Sequence, residues 1–143
     1  MIANLLVAAG LVAATAIVHG GGLILLSRMM KAATRAFGLE RDSVLSILAM
    51  TLTVLAIFVL HLVEAAVWAF GYLALGTLPD FATAMYFSAA TFSTIGYGDL
   101  TLVDHWQLLS ALEGIAGFIF IGWSTAYLVA ASTRHTPFKM DEV

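Results

Sequence analysis

The sequence predicts an all-α integral membrane protein: three transmembrane helices, with a short re-entrant helix and an irregular loop between the second and third. Three observations carry this. Of 143 residues, 62% are hydrophobic and only 10% are charged, whereas a soluble domain has about a quarter charged residues. The apolar residues gather in three runs, Ile2 to Leu26, Val44 to Gly76 and Trp106 to Ala131. Each exceeds the roughly 20 residues that cross about 30 Å of hydrocarbon as a helix. A fourth apolar stretch, Phe81 to Phe92, is too short to cross.

The chain divides into an N-terminal helix over 1–31, a basic linker over 32–43 and a second helix over 44–76. A short helix and loop follow over 77–105, then a third spanning helix over 106–131 and a tail over 132–143. The first run is read as a permanent helix and not a cleaved leader, because no basic residue precedes it. His19-Gly20-Gly21-Gly22 is expected to loosen or bend it. Without an arginine-rich face, it is not a voltage sensor.

Charge sets the orientation. The six basic residues are Arg28, Lys31, Arg35, Arg41, Arg134 and Lys139. With three spans they all fall on one side, and 77–105, which holds no Lys or Arg, falls on the other. The positive-inside rule places the N-terminus outside and both the linker and the C-terminus in the cytoplasm. Trp106 suits the outer interface.

Composition also excludes classes. The chain has no cysteine, hence neither a disulfide framework nor a thiolate metal site. A net charge of -3 with scattered basic residues gives no nucleic-acid surface. Membrane lipid is the expected surrounding.

Gly76-Thr77-Leu78-Pro79 reads as a helix exit and turn. Asp80 then stands where it can cap a helix over the short apolar stretch. A half-helix at membrane depth is tolerated only where its end is buried in protein or lines a water-filled cavity. Its C-terminal end carries partial negative charge, which favours a cation. Ser93-Thr94-Ile95-Gly96-Tyr97-Gly98-Asp99 follows. Alternating glycines permit dihedrals that turn successive carbonyls to one side. Thr94, Ile95, Gly96 and Tyr97 can then line a narrow tube with backbone oxygens, the Thr94 hydroxyl adding a ligand. One chain supplies one wall, so several copies are required.

The stretch Thr91-Phe92-Ser93-Thr94-Ile95-Gly96-Tyr97-Gly98-Asp99 resembles the signature of tetrameric potassium channels, commonly TxTTVGYGD. The order of helix, short helix, loop and helix over 44–131 resembles it too. The nearest group is the small prokaryotic two-helix channels, here with an added N-terminal helix. The resemblance implies a homotetramer around a fourfold axis in a prokaryotic plasma membrane. It implies passive potassium conduction and no enzymatic activity or cofactor. Thr94, Ile95, Gly96 and Tyr97 would coordinate K+, Gly98 would permit the outer turn and Asp99 would brace the outer mouth. The chain departs from the family at Ala90, where several members carry a glutamate bonded to the filter aspartate. Tyr86 and Phe87 stand where two tryptophans are often found. The alternatives are a non-conducting or weakly selective subunit of a larger complex, and a pore subunit driven by a partner ATPase. A regulatory subunit stays open.

Glu64 and Glu113 fall inside spanning helices, where a carboxylate is costly and faces protein or water. They are expected to brace the short helix and the loop, or to act as structural glue. His61, Glu64, Ala65 and Trp68 share one face. His61 and Glu64 have ligand spacing, but His19 and Glu113 are on other helices and there is no HExxH run, so metal binding and catalysis are not expected. Gly114 and Gly117 offer a hinge or close packing. Ile121, Ser124, Thr125 and Leu128 are candidates for a cavity face.

Overall fold

The computed structural model describes residues 1–37 and 44–135. Arg41, Lys139 and parts of the expected linker and tail lie outside the described residues. Four α-helices account for most of the rest: α1 (Ile2–Phe37), α2 (Val44–Ala74), α3 (Phe81–Phe92) and α4 (Gln107–His135), the last entered through a 3₁₀ turn at Asp104–Trp106. No strand occurs among the described residues. Three helical segments, Ile2–Ala36, Val44–Ala74 and Asp104–Thr133, are long and apolar enough to cross a membrane.

Two features of α1 differ from expectation. Helix α1 continues past residue 31 to Phe37, because Lys31, Ala32, Ala33 and Arg35 are good helix formers and nothing there breaks the ladder. It also runs unbroken through His19-Gly20-Gly21-Gly22. Tertiary packing holds that stretch: a Cβ on Gly22 would come within 2.6 Å of Leu60, so α2 lies against the helix there.

Helix α2 ends in a turn formed by Gly76 at φ +65°, with Thr77 bonding back to the Tyr72 carbonyl through both its amide and its hydroxyl, each at 3.0 Å. That reversal sends the chain into α3. Helix α3 begins on Asp80, whose carboxylate accepts bonds from the Thr83 amide and hydroxyl, each at 2.9 Å. A side-chain oxygen thus occupies one of the amides that a helix start leaves unpaired.

The buried core lies where α3 inserts between α2 and α4. Trp68, Ala69 and Tyr72 of α2 meet Ala84, Phe87 and Phe92 of α3, with Leu109, Ala116 and Phe120 of α4 closing it. Helix α1 covers the outside of α2 and α4. Asn4 pins its start by donating to the His105 carbonyl at 2.8 Å and accepting from the Leu109 amide at 3.1 Å. A smaller cluster of Leu23, Leu26 and Ile57 joins α1 to α2.

The uncovered surfaces are apolar. Leu48, Leu52, Leu55, Phe58 and Val59 of α2 are exposed, which fits lipid and not water. On α4 the exposed stripe is Ile115, Phe118, Ile119 and Val129. This corrects the expected cavity face. Ser124 is buried within the chain, nine residues from Ile115 and hence on the opposite side of a helix turning about 100° per residue. Leu128 packs toward Leu23, Leu26 and Ile57. Of the expected face, Thr125 alone is exposed. Helices α1 and α2 cover the flank of α4 that the spacing had assigned to a cavity.

Candidate functional site

The loop leaving α3 folds back on the end of that helix. The amides of Ser93, Thr94 and Gly96 donate to the carbonyls of Ala89, Thr91 and Ala90 at 3.1, 2.9 and 3.0 Å. From within this anchor onward, positive φ recurs at every second residue: Thr94 at 62°, Gly96 at 55° and Gly98 at 77°. Thr94 is the only non-glycine in that region among the described residues. A side chain in the left-handed region costs roughly 1–2 kcal/mol, so the surrounding contacts must hold it. At Gly96 and Gly98 a Cβ would meet nothing within 4 Å. Glycine is therefore required there by backbone conformation and not by space. Ile95 and Tyr97 are 58% and 67% exposed in the single chain. Thr94, Gly96 and Gly98 border an open recess of about 440 Å³ shared with Thr91, Leu100 and Ser110.

Helix α3 holds the far end of the loop as well. The Tyr86 hydroxyl donates to Asp99 Oδ2 at 2.7 Å. The Tyr86 ring stacks on Tyr97 with centroids 6.4 Å apart and planes 3° from parallel. The short helix thus reaches Asp99 from Tyr86, although Ala90 has no polar group to offer. Spacing along the sequence does not reveal this pairing, because the residues are 13 apart and meet only once the loop reverses.

Glu113 lies behind the short helix, fully buried. Tyr72 donates its hydroxyl to Glu113 Oε2 at 2.5 Å, and Ser88 Oγ sits 2.5 Å from Oε1. Ser88 Oγ is also 2.7 Å from the Ala65 carbonyl, which can only accept. A serine has one proton. The network closes when Ser88 donates to Ala65 and Glu113 carries the proton that it donates to Ser88. Helices α2, α3 and α4 are then joined by a chain of hydrogen bonds with no net charge, which suits a buried site. Neither Tyr72 nor Ser88 stood out in the sequence, since a tyrosine and a serine in apolar helices carry no signal of their own.

Glu64 faces elsewhere. Its two oxygens bond His19 Nδ1 and His61 Nδ1, both at 2.8 Å. Its link to the loop passes through rings: His61 lies 5.9 Å from Phe92, and His19 lies 5.1 Å from Phe120, which stacks on Phe92. His19 stands 45 residues before Glu64 in sequence, and only the packing of α1 on α2 brings it in.

The glycines of α4 differ. A Cβ on Gly117 would fall 1.9 Å from the Phe92 carbonyl oxygen, whereas one on Gly114 would sit 3.6 Å from the Thr91 carbonyl. Gly117 is where the backbone of α4 meets the end of α3; Gly114 makes an ordinary contact.

Neither the curated proteins nor the solved structures contain a match. The family described as "Ion channel" matches residues 56–134. That span exceeds half the chain and takes in most of α2, all of α3, the loop and nearly all of α4. The protein therefore belongs to this ion-channel family, whose members are non-catalytic transport proteins.

Proposed function

We propose that the chain forms a homotetrameric potassium channel in a prokaryotic plasma membrane, with its C-terminus in the cytoplasm. In this reading α3 is the pore helix and Thr94 to Asp99 is the selectivity filter. Carbonyls of Thr94, Ile95, Gly96 and Tyr97 from four copies form rings that replace the hydration shell of K+, and the Thr94 hydroxyl adds a ligand. Gly98 makes the outer turn and Asp99 braces the mouth.

The observation that carries the reading is the alternation of positive φ at Thr94, Gly96 and Gly98. A backbone alternating between the two hands turns successive carbonyls toward one side, which a uniform strand cannot do. It does so immediately after a 12-residue helix too short to span. The exposed α4 stripe supports assembly, since Ile115, Phe118, Ile119 and Val129 are left for other copies or for the pore. Glu113 and, through rings, Glu64 support the helix that presents the filter.

The test is ion flux from liposomes reconstituted with the purified tetramer, with K+ and Na+ gradients and Ba2+ as blocker. Ba2+-sensitive K+ flux well above Na+ flux is expected. Equal flux of the two ions would overturn selectivity. Absence of flux from a verified tetramer whose α4 contacts have been loosened by substitution would favour a non-conducting subunit.

A further inference from the structure

We propose that His19, His61 and Glu64 form a binding site for a divalent transition-metal ion of the zinc class, clamping α1 to α2 beside the base of the loop. The three side chains come from two helices, and their donor atoms all lie within 4.8 Å of one another. Two imidazole nitrogens and a carboxylate are a common zinc donor set, with a further position left for water. Each imidazole Nδ1 is 2.8 Å from a carboxylate oxygen. That is a hydrogen-bond distance; ligands about 2.1 Å from a tetrahedral ion stand about 3.4 Å apart, so an entering ion spreads each pair by about 0.6 Å.

Charge points the same way. Glu64 and His19 are both fully buried, and no Lys or Arg occurs in residues 2–27, 44–76 or 105–133. A buried carboxylate needs a cation, and the helices around this one supply no permanent cation. A second observation is independent of the cluster's internal bonds: His19 Nε2 is buried without a hydrogen-bond partner. If the ring only donates from Nδ1 to Glu64, a bare lone pair is left at Nε2 of an imidazole whose centroid lies 5.1 and 5.0 Å from the ring centroids of Phe120 and Trp123. When Nδ1 ligates a metal, the proton moves to Nε2, and an N–H is tolerated beside aromatic rings. His61, the third member, is 21% exposed in the single chain. Occupancy would fix α1 against α2 next to Phe92, the last residue of α3, so this site joins the N-terminal helix to the loop.

The test uses full-length protein in detergent with His105→Gln and His135→Gln introduced to remove the two other imidazoles of the sequence. Zn2+ is added, the protein is desalted and metal per chain is measured. Co2+ is used in parallel for its visible absorption. About one Zn2+ per chain is expected, with an intense Co2+ band of low-coordinate geometry and a higher melting temperature with metal than with chelator. His61→Gln and Glu64→Gln should each lower retention by about tenfold or more. Should Glu64→Gln fail to fold, His61→Gln and the Co2+ spectrum of the unsubstituted site still decide. No retained metal, or retention unchanged by His61→Gln, overturns the proposal and leaves the cluster to be neutralised by protons. None of these readouts depends on ion flux, so the channel reading stands or falls separately.

Discussion

Tyr86 and Asp99 are joined by a 2.7 Å hydrogen bond that spans the loop between them. One end of the loop is tied to α3 through backbone bonds at Ala89, Ala90 and Thr91. The other end is tied to the same helix through this one side chain. The helix and its loop thus form a closed unit, and the phenol does for Asp99 what Ala90 cannot.

Removing that hydroxyl should loosen the outer end of the loop alone. Tyr86→Phe keeps the ring stacked on Tyr97 and leaves Asp99 without its donor. In bilayer recordings K+ current should decay about threefold to tenfold faster, the scale of one lost hydrogen bond. Thermal stability in detergent should hardly move, because the pair is exposed.

Glu113 allows a sharper test of protonation. A glutamine can donate to Ser88 and accept from Tyr72, as the neutral acid does. Glu113→Gln should therefore melt close to wild type, within about 1 kcal/mol. Glu113→Ala leaves the Tyr72 hydroxyl buried without an acceptor and opens a cavity, and should cost about 3 kcal/mol. Equal losses in the two variants, measured by denaturation in detergent, would mean that the site holds an ionised carboxylate.

Gly114 and Gly117 of α4 should respond differently. Gly117→Ala drives a methyl into the Phe92 carbonyl, a backbone group that cannot yield without moving α3. Destabilisation of about 1–3 kcal/mol is expected, with loss of K+ flux because the loop shifts with α3. Gly114→Ala has room for its methyl and should stay within about 1 kcal/mol of wild type. Parallel melting curves and flux measurements separate the two.

Asp80 gives a pH dependence of known sign. The amide and hydroxyl of Thr83 hold its carboxyl below the usual value of 3.8. A carboxyl lowered in the folded state contributes stability that is present above its unfolded value. That contribution is lost as pH falls through the lower folded value. Wild-type protein should therefore lose protection of the Thr83 amide below about pH 4, as followed by hydrogen exchange. Asp80→Asn, which caps without ionising, should not show this loss.

The spanning helices, the short helix and its cap were legible because each rests on local physics. A run of apolar residues longer than the bilayer needs no partner to be recognised, and Asp80 caps a helix that begins at Phe81 by accepting from Thr83, three residues on. The alternating backbone after α3 was likewise legible at Gly96 and Gly98, where residue type restricts φ. Its onset at Thr94 was not, since a threonine reaches positive φ only when its surroundings hold it there.

Tertiary structure decided everything that depends on how helices rotate and meet. Sequence spacing put His61 and Glu64 on one face but could not say that His19 would close on them from α1. It raised both buried glutamates as supports, and packing sent Glu113 to Ser88 and Glu64 to two histidines. Periodicity offered Ile121, Ser124, Thr125 and Leu128 of α4 for a cavity face, and the coverage by α1 and α2 left Ile115, Phe118, Ile119 and Val129 open instead. Hydropathy identifies a helix in lipid because burial there is nearly uniform around its axis. For the same reason it says little about which side meets a neighbour, and that choice falls to shape and to a few polar pairs.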